Sequence, residues 1–271
     1  WTDYESLHGN DFINGKLFSE GKALVLEGYA DRSQLFPWPI ALTIKGEDIL
    51  LLNIPEAVVR VDPDINILLA NQLAQVRGKI IVRQANITLR ELPTSVVSVS
   101  SDAIIVGEDE NQSGLKTDID VSVLLGDNVS VEGMGLSAKF KGDIRIEDKP
   151  QRPMLVTGLV RIVDGRYRAY GQNLRIERGN LYFQGPPDDP GLDVVATRTV
   201  NAYNAKAGLE IGGTLKNPQS RIFSEPAMDE TDAMSLLLTG KPLSGATESE
   251  GNAILQAIVV YGIEQGDFIT N

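Results

Sequence analysis

The chain has 271 residues, 42% of them hydrophobic and 6% aromatic, with no cysteine and a formal net charge of −12. This composition is globular, and it excludes disulfides, thiol catalysis and cysteine-ligated metal. The charge repels a nucleic-acid backbone, so no nucleic-acid partner is expected; it also opposes adsorption of the general surface to anionic lipid, while leaving open the holding of lipid tails inside.

No apolar run approaches the roughly 18 residues of a membrane span. The chain starts at Trp1 rather than Met, and the expectation is a segment of a longer protein whose anchors and targeting signals lie outside it. The length allows one large all-β domain or two smaller ones.

Residues 1–14 are polar and carry no clear pattern. Gly15 to Ala30 reads as two short strands about a turn at Ser19–Gly21. Pro37 and Pro39 bracket Trp38 in a loop or edge. Ile40 to Lys45, Ile49 to Ile54 and Val58 to Val61 follow as short strands, and Asp62–Pro63–Asp64 reads as a turn before Ile65 to Ala70. Gly78 to Leu92 (GKIIVRQANITLREL) resembles Gly158 to Ala169 (GLVRIVDGRYRA). Both run glycine, two apolar positions two apart, a small residue (Ala85 or Gly165) and a further strand. This is a degenerate hairpin repeat, and stacked repeats of one unit suggest an extended assembly.

Gly107 to Ser113 is acidic and polar, a candidate mobile loop. Thr117 to Leu125 alternates Ile119, Val121 and Val123 against Asp118, Asp120 and Ser122. Strands over 129–147 place Gly133, Gly135 and Gly142 at turns.

The stretch from Leu155 to Ala196 has the clearest alternation. Val160 and Ile162 flank Arg161, Leu174 and Ile176 flank Arg175, and Leu181 and Phe183 flank Tyr182. Side chains in a strand alternate between faces, so these read as three successive strands with one apolar face, and Gly165 and Gly179 are expected at turns. Pro186, Pro187 and Pro190 then interrupt the ladder. Leu192 to Val200, Ala205 to Gly212 and Gln219 to Phe223 are further strands. After residue 225 the period changes to that of a helix. Asp229 is an N-cap with Asp232 in the first turn, the apolar run Ala233 to Leu238 follows, and Gly240 and Pro242 are stop signals. Ile254, Ala257, Ile258 and Tyr261 form a second helical stripe. The division expected is a β region over 1–225 and a helical cap over 226–271.

An ordered set of motifs carries a family resemblance. Gly179–Asn180–Leu181–Tyr182–Phe183 is followed by Asp189–Pro190–Gly191–Leu192–Asp193 and Ala196, then by Ser224–Glu225–Pro226, then by Asp229 through Leu236–Leu237–Leu238–Thr239–Gly240. This set resembles the carboxy-terminal region of the TamB family, which belongs with the AsmA-like and bridge-like lipid-transfer proteins. The match is densest over residues 158–262.

The resemblance implies a mainly β fold: a long antiparallel sheet curled into a half-pipe, the β-taco, with an apolar concave face and here two short helices near the C-terminus. It implies a periplasmic location, in a chain anchored in the inner membrane by a segment outside this sequence. It also implies an outer-membrane barrel partner of the TamA type, and roles in phospholipid movement and in assembly of outer-membrane proteins such as autotransporters.

The residues alone leave two readings of the apolar face open. A second sheet would close it in an ordinary sandwich. An open groove would be lined by Ile80, Val82, Ile87, Leu89, Val160, Ile162, Leu174, Ile176, Leu181 and Phe183, and the repeat and the resemblance favour this one. Such a lining would hold phospholipid acyl chains without specific polar contacts. The alternative function is a scaffold or chaperone that pairs with strands of nascent outer-membrane proteins at its sheet edge; a regular surface solenoid fits the variable strand lengths poorly.

No enzyme is expected. The lone histidine, His8, sits in an unpatterned stretch. No nucleophile elbow, phosphate loop or metal-spaced cluster is present, so no cofactor, metal or catalytic residue is assigned. Asp188, Asp189 and Asp193 sit beside prolines and Gly191 and read as turn residues.

Overall fold

The computed structural model describes residues 3–7, 10–33, 38–89, 115–169, 172–245, 247 and 252. His8, the acidic segment 107–113 and the second helical stripe at 254–261 lie outside these residues.

The described chain is mainly β. The strands are β1 (Asp3–Leu7), β2 (Asn10–Ser19), β3 (Lys22–Asp31), β4 (Ile40–Gly46), β5 (Ile49–Ile54), β6 (Ala57–Ala70) and β7 (Leu73–Leu89), then β8 (Lys116–Gly133), β9 (Leu136–Asp148), β10 (Leu155–Ala169), β11 (Gln172–Gly185), β12 (Gly191–Val200), β13 (Ala205–Gly213) and β14 (Pro218–Glu225). One helix, α1 (Glu230–Thr239), follows. Hydrogen-bonded neighbours run β1-β2-β3-β4-β6-β7-β8-β9-β10-β11-β12-β13-β14, with β5 attached to β6. The order is open: β1 and β14 each have one neighbour, and no second sheet exists among the described residues. Two compact units divide the chain, Trp1–Val129 with Arg145–Leu155, and Ser130–Ile144 with Val156–Asn271.

In the first unit, tight hairpins join β2 to β3 at Glu20–Gly21 (φ 49° and 79°) and β6 to β7 at Asn71–Gln72 (φ 51° and 59°). Positive φ at both central residues matches the twist of the flanking strands. Residues 3–7 and 10–14, read as unpatterned, form β1 and the start of β2; backbone pairing there overrides a weak side-chain pattern. Asp62–Pro63–Asp64 is not a turn but the middle of β6. Pairing of β6 with β5 ends at Val61 and its pairing with β4 begins at Asp64, so Pro63 falls at the handover, where one flank lacks a partner and a missing N–H is tolerated.

In the second unit, the expected hairpin at Gly158–Ala169 is one strand, β10, just as Gly78–Leu89 is part of one strand, β7. Leu174–Ile176 and Leu181–Phe183 likewise belong to a single strand, β11. Gly165 and Gly179 therefore lie inside strands rather than at turns, and Gly142 lies inside β9. The repeat persists in another form. Gly78 and Gly158 have φ of 149° and 138°. A Cβ at either would meet the carbonyl oxygen of an Asp–Ile pair on the neighbouring strand, Asp64 at 2.1 Å or Asp143 at 2.2 Å. Glycine at these places allows a backbone approach that no side chain permits.

Helix α1 begins and ends where the sequence predicts. The Asp229 side chain accepts a hydrogen bond from the Asp232 N–H, and Gly240 (φ 82°) closes the helix with its N–H on the Leu236 carbonyl. Leu236 and Leu237 are buried against Leu174, Ala196, Ala205 and Ala207 on the sheet of the second unit. Three alanines there let the helix approach closely.

Candidate functional site: an apolar face in each unit preserved by bulges

The ten expected lining residues change parity along the chain. Ile80 and Val82 are even and Ile87 and Leu89 are odd; Leu174 and Ile176 are even and Leu181 and Phe183 are odd. A regular strand would send the two sets to opposite faces. The pairing shows why it does not.

In the first unit, Ile80 pairs with Pro63 and Val82 with Val61, but Gln84 pairs with Arg60 and Ile87 with Ala57. Arg83 is the extra residue of a bulge. Directly paired residues share a face, so Ile80, Val82, Ala85 and Ile87 all lie with the odd residues of β6. The same face continues through Ile65, Ile67 and Leu69 to Ile44, Leu42 and Ile40 of β4, and from there to Leu26 and Leu24 of β3. Ile80 and Val82 are half-buried, whereas Ile87 and Leu89, near the strand end, are 36% and 40% exposed.

In the second unit, β11 bulges at Glu177: Ile176 pairs with Ala196, and Arg178 already pairs with Val195. Leu181 pairs with Val160 and Phe183 with Gly158, while Leu174 pairs with Tyr167. The β10 face thus changes from Val156, Val160 and Ile162 to Gly165 and Tyr167. A Cβ on Gly165 would meet Ile162, Ile176 and Ala138 within 3.3 Å, which places all four on one side. Leu192, Val194, Leu209 and Ile222 extend this side across β12, β13 and β14. Val160 and Leu174 are buried, and Ile162, Ile176, Leu181 and Phe183 are half-buried. Each unit therefore brings its own lining residues together.

The opposite faces are polar and ion-paired. In the first unit Arg83 Nε reaches both Asp62 carboxylate oxygens at 2.6 Å, Arg60 meets Glu20 and Asp48, and Arg145 meets Asp120 at 2.6 Å. In the second, Arg178 bridges Asp193 and Glu210, and Lys206 bridges Glu177 and Glu225. Exposed pairs like these contribute little stability each. They mark the side that water covers.

The aspartates near the proline turn are held separately: Asp188 pairs with Lys216, Asp189 accepts from the Lys216 N–H at 2.9 Å, and Asp193 pairs with Arg178 and Asn180. Asp188 and Asp189 lie in the connection between β11 and β12, as expected of turn residues, whereas Asp193 lies inside β12, where it faces Arg178 and Asn180 across the strand pair rather than forming a turn. Among the described residues no cluster of His, Cys, Asp or Glu has a metal-holding arrangement, and no helix is long and apolar enough to cross a membrane.

A family model described as the TamB C-terminal domain matches residues 11–265. The chain belongs to this family. The translocation and assembly module subunit TamB of Haemophilus influenzae is 27% identical over 267 residues, covering 90% of this chain and 20% of the relative. The chain thus spans about one fifth of that curated relative's length.

Two features of this TamB-family segment escape the sequence pattern. Arg198 sits on the apolar side of β12, paired with Ala207, and its Nη1 donates to the Leu237 carbonyl at 2.9 Å. A cation at a helix C-terminus is stabilised by the helix dipole, while burial pulls the Arg198 pKa down. Asp232 accepts from both the N–H (2.8 Å) and the hydroxyl (2.6 Å) of Ser244, folding the segment after α1 back onto its first turn. The Ser244 hydroxyl, then its N–H, hold the Asp232 carboxyl below the usual carboxylate range. Arg198 occupies a strand position where a sequence pattern predicts only alternation, and the Asp232–Ser244 contact spans a loop; neither leaves a local signature.

Proposed function

We propose that this segment is part of a periplasmic bridge between the inner and outer membranes, and that its apolar face carries phospholipid acyl chains. The observation that carries the reading is the pair of bulges at Arg83 and Glu177, which keep apolar residues on one side through a change of parity. Each bulge disrupts the ladder locally, and what it preserves in its strand is the apolar side. Curling of the open sheet into a half-pipe would shelter that face, and each methylene buried there gains about 0.8 kcal/mol. Equivalent aliphatic contacts along the face would let a chain slide with low barriers, with its headgroup in water. The segment is non-enzymatic in this reading. The relative's name, a subunit of a translocation and assembly module, supports action within a complex; in this reading the partner is an outer-membrane barrel of the TamA type.

The test is native mass spectrometry, with lipid extraction, of the chain purified from a bacterial membrane fraction. Co-purifying phospholipid in the wild type and its loss in a folded Ile162→Arg variant are expected. A folded, lipid-free wild type, or lipid retained by Ile162→Arg, would overturn the reading. The lipid-free outcome would favour strand augmentation of nascent outer-membrane proteins, a reading supported by the open strand order, and would be followed by cross-linking at β14.

A further inference from the structure

The polar side of β10 and β11 carries a group of arginines that the ion-pair network leaves out. Arg166 and Arg175 are direct cross-strand partners, and Arg161 and Arg168 lie on the same side of the same two strands. All four are exposed. Among the described residues none has a carboxylate within salt-bridge distance; Arg168 alone has a side-chain partner, the Asn173 oxygen at 3.3 Å. The contrast with neighbouring cations is sharp, because Arg178, Lys206 and Arg221 on the same side are each bound to one or two carboxylates. Like charges directly opposite each other, with Cβ atoms about 5 Å apart, are destabilising without a counter-charge. In a chain of net charge −12, four unneutralised arginines on one patch imply an anion supplied from outside.

We propose that Arg161, Arg166, Arg168 and Arg175 form a docking surface for an anionic phospholipid bilayer, through the phosphates of its headgroups. Guanidinium forks match phosphate oxygens bidentately, and the group is all arginine. Rows on the same side hold Leu159 opposite Tyr182, and Val163 at 52% exposure stands between Arg161 and Arg166. A tyrosine and aliphatic side chains beside cations suit the boundary between headgroups and acyl chains, where an acidic protein surface would offer them nothing apolar. The acidic remainder of the chain is repelled by such a membrane, so the patch also sets which side approaches it. The docking surface stands independently of the acyl-chain reading, since it occupies the opposite face.

The experiment is flotation of the intact chain with vesicles of phosphatidylethanolamine and phosphatidylglycerol, against vesicles of phosphatidylcholine alone. The wild type is expected to float with the first, in a salt-sensitive manner, and not with the second. The double variant Arg166→Gln/Arg175→Gln is expected to lose about 25-fold in partitioning, about fivefold per cation. Lys16→Gln/Lys79→Gln removes the same charge elsewhere on exposed strand positions and is expected to float nearly as wild type. The arginine variant relieves a like-charge pair, so its thermal midpoint should not fall, which separates lost docking from lost folding. Ile162→Arg should float normally even where it has lost acyl chains. Absence of wild-type flotation, equal loss in the lysine control, or unaltered flotation of the arginine variant would each overturn the proposal; wild-type binding to polyglutamate with no flotation would assign the patch to an acidic polypeptide instead.

Discussion

Ile162 packs directly onto Gly179. A Cβ built on Gly179 would lie 2.8 Å from the Ile162 Cβ and 2.8 Å from its Cδ1. Since Gly179 is inside a strand, the constraint is one of space: the isoleucine occupies the volume an alanine methyl would need. Gly179→Ala is therefore expected to destabilise the chain by about 1–3 kcal/mol, the usual cost of overpacking. Gly185 lies six positions further along β11 with nothing within 4 Å of its hypothetical Cβ, so Gly185→Ala should change stability by less than about 0.5 kcal/mol. Urea denaturation of the two variants beside wild type measures both; equal midpoints would remove the packing argument.

The same contact shows how far the sequence could be read. Alternation identifies the strands and the apolar side chains, because a period of two is intrinsic to an extended backbone. A shift from even to odd apolar positions, however, has two physical explanations. A turn can start a new strand, or a bulge can absorb one residue within the old one. Ala85, Gly165 and Gly179 are small enough for either, and local sequence favours turns. Only the partner strands decide, by pairing Ile176 with Ala196 and Arg178 with Val195. The apolar side chains that share a face were thus legible, while their grouping into long strands was not. Helix α1 was legible to the residue at both ends because Asp229 and Gly240 act through local hydrogen bonds. Arg198 was not, because its partner lies 39 residues away.

Docking of α1 rests on Leu236 and Leu237, which are 0% and 1% exposed. Removing either side chain beyond Cβ leaves a cavity against Leu174 and the alanines, so Leu236→Ala is expected to cost about 2–5 kcal/mol. Thr231→Ala, at an exposed position of the same helix, should be nearly neutral. Arg198→Met keeps much of the aliphatic volume but removes the bond to the Leu237 carbonyl, for a loss of about 1–3 kcal/mol. Hydrogen exchange of α1 amides reports each variant, and unchanged protection in Leu236→Ala would show that the helix is not held by this contact.

Acid should weaken the closure after α1. The folded-state pKa of Asp232 is depressed by the Ser244 hydroxyl and N–H. Its contribution is therefore complete above the unfolded value, about 3.9, and is lost as pH falls through the lower folded value. At neutral pH Asp232→Ala should cost about 1.5–3 kcal/mol, the scale of hydrogen bonds to a charged acceptor. The gap between wild type and variant should close progressively on acidification below about pH 4. Chemical denaturation at pH 7, 4 and 2 tests this; a gap that stays constant would mean that the carboxylate charge plays no part.

The bulge geometry distinguishes neighbouring isoleucines. Ile80 pairs with Pro63 on the apolar side of β7, and Ile81 pairs with Asp62 on the polar side. Both are half-buried, so composition and burial alone predict the same response to a charge. The proposed acyl-chain face predicts opposite ones. A lysine at Ile80 would place an ammonium in the lipid path, whereas a lysine at Ile81 would face Asp62, which already accepts from Arg83. Ile80→Lys is expected to remove co-purifying phospholipid, and Ile81→Lys to retain it with a thermal midpoint close to wild type. Equal lipid content in the two folded variants would separate the apolar alternation from lipid carriage and leave it as a feature of folding alone.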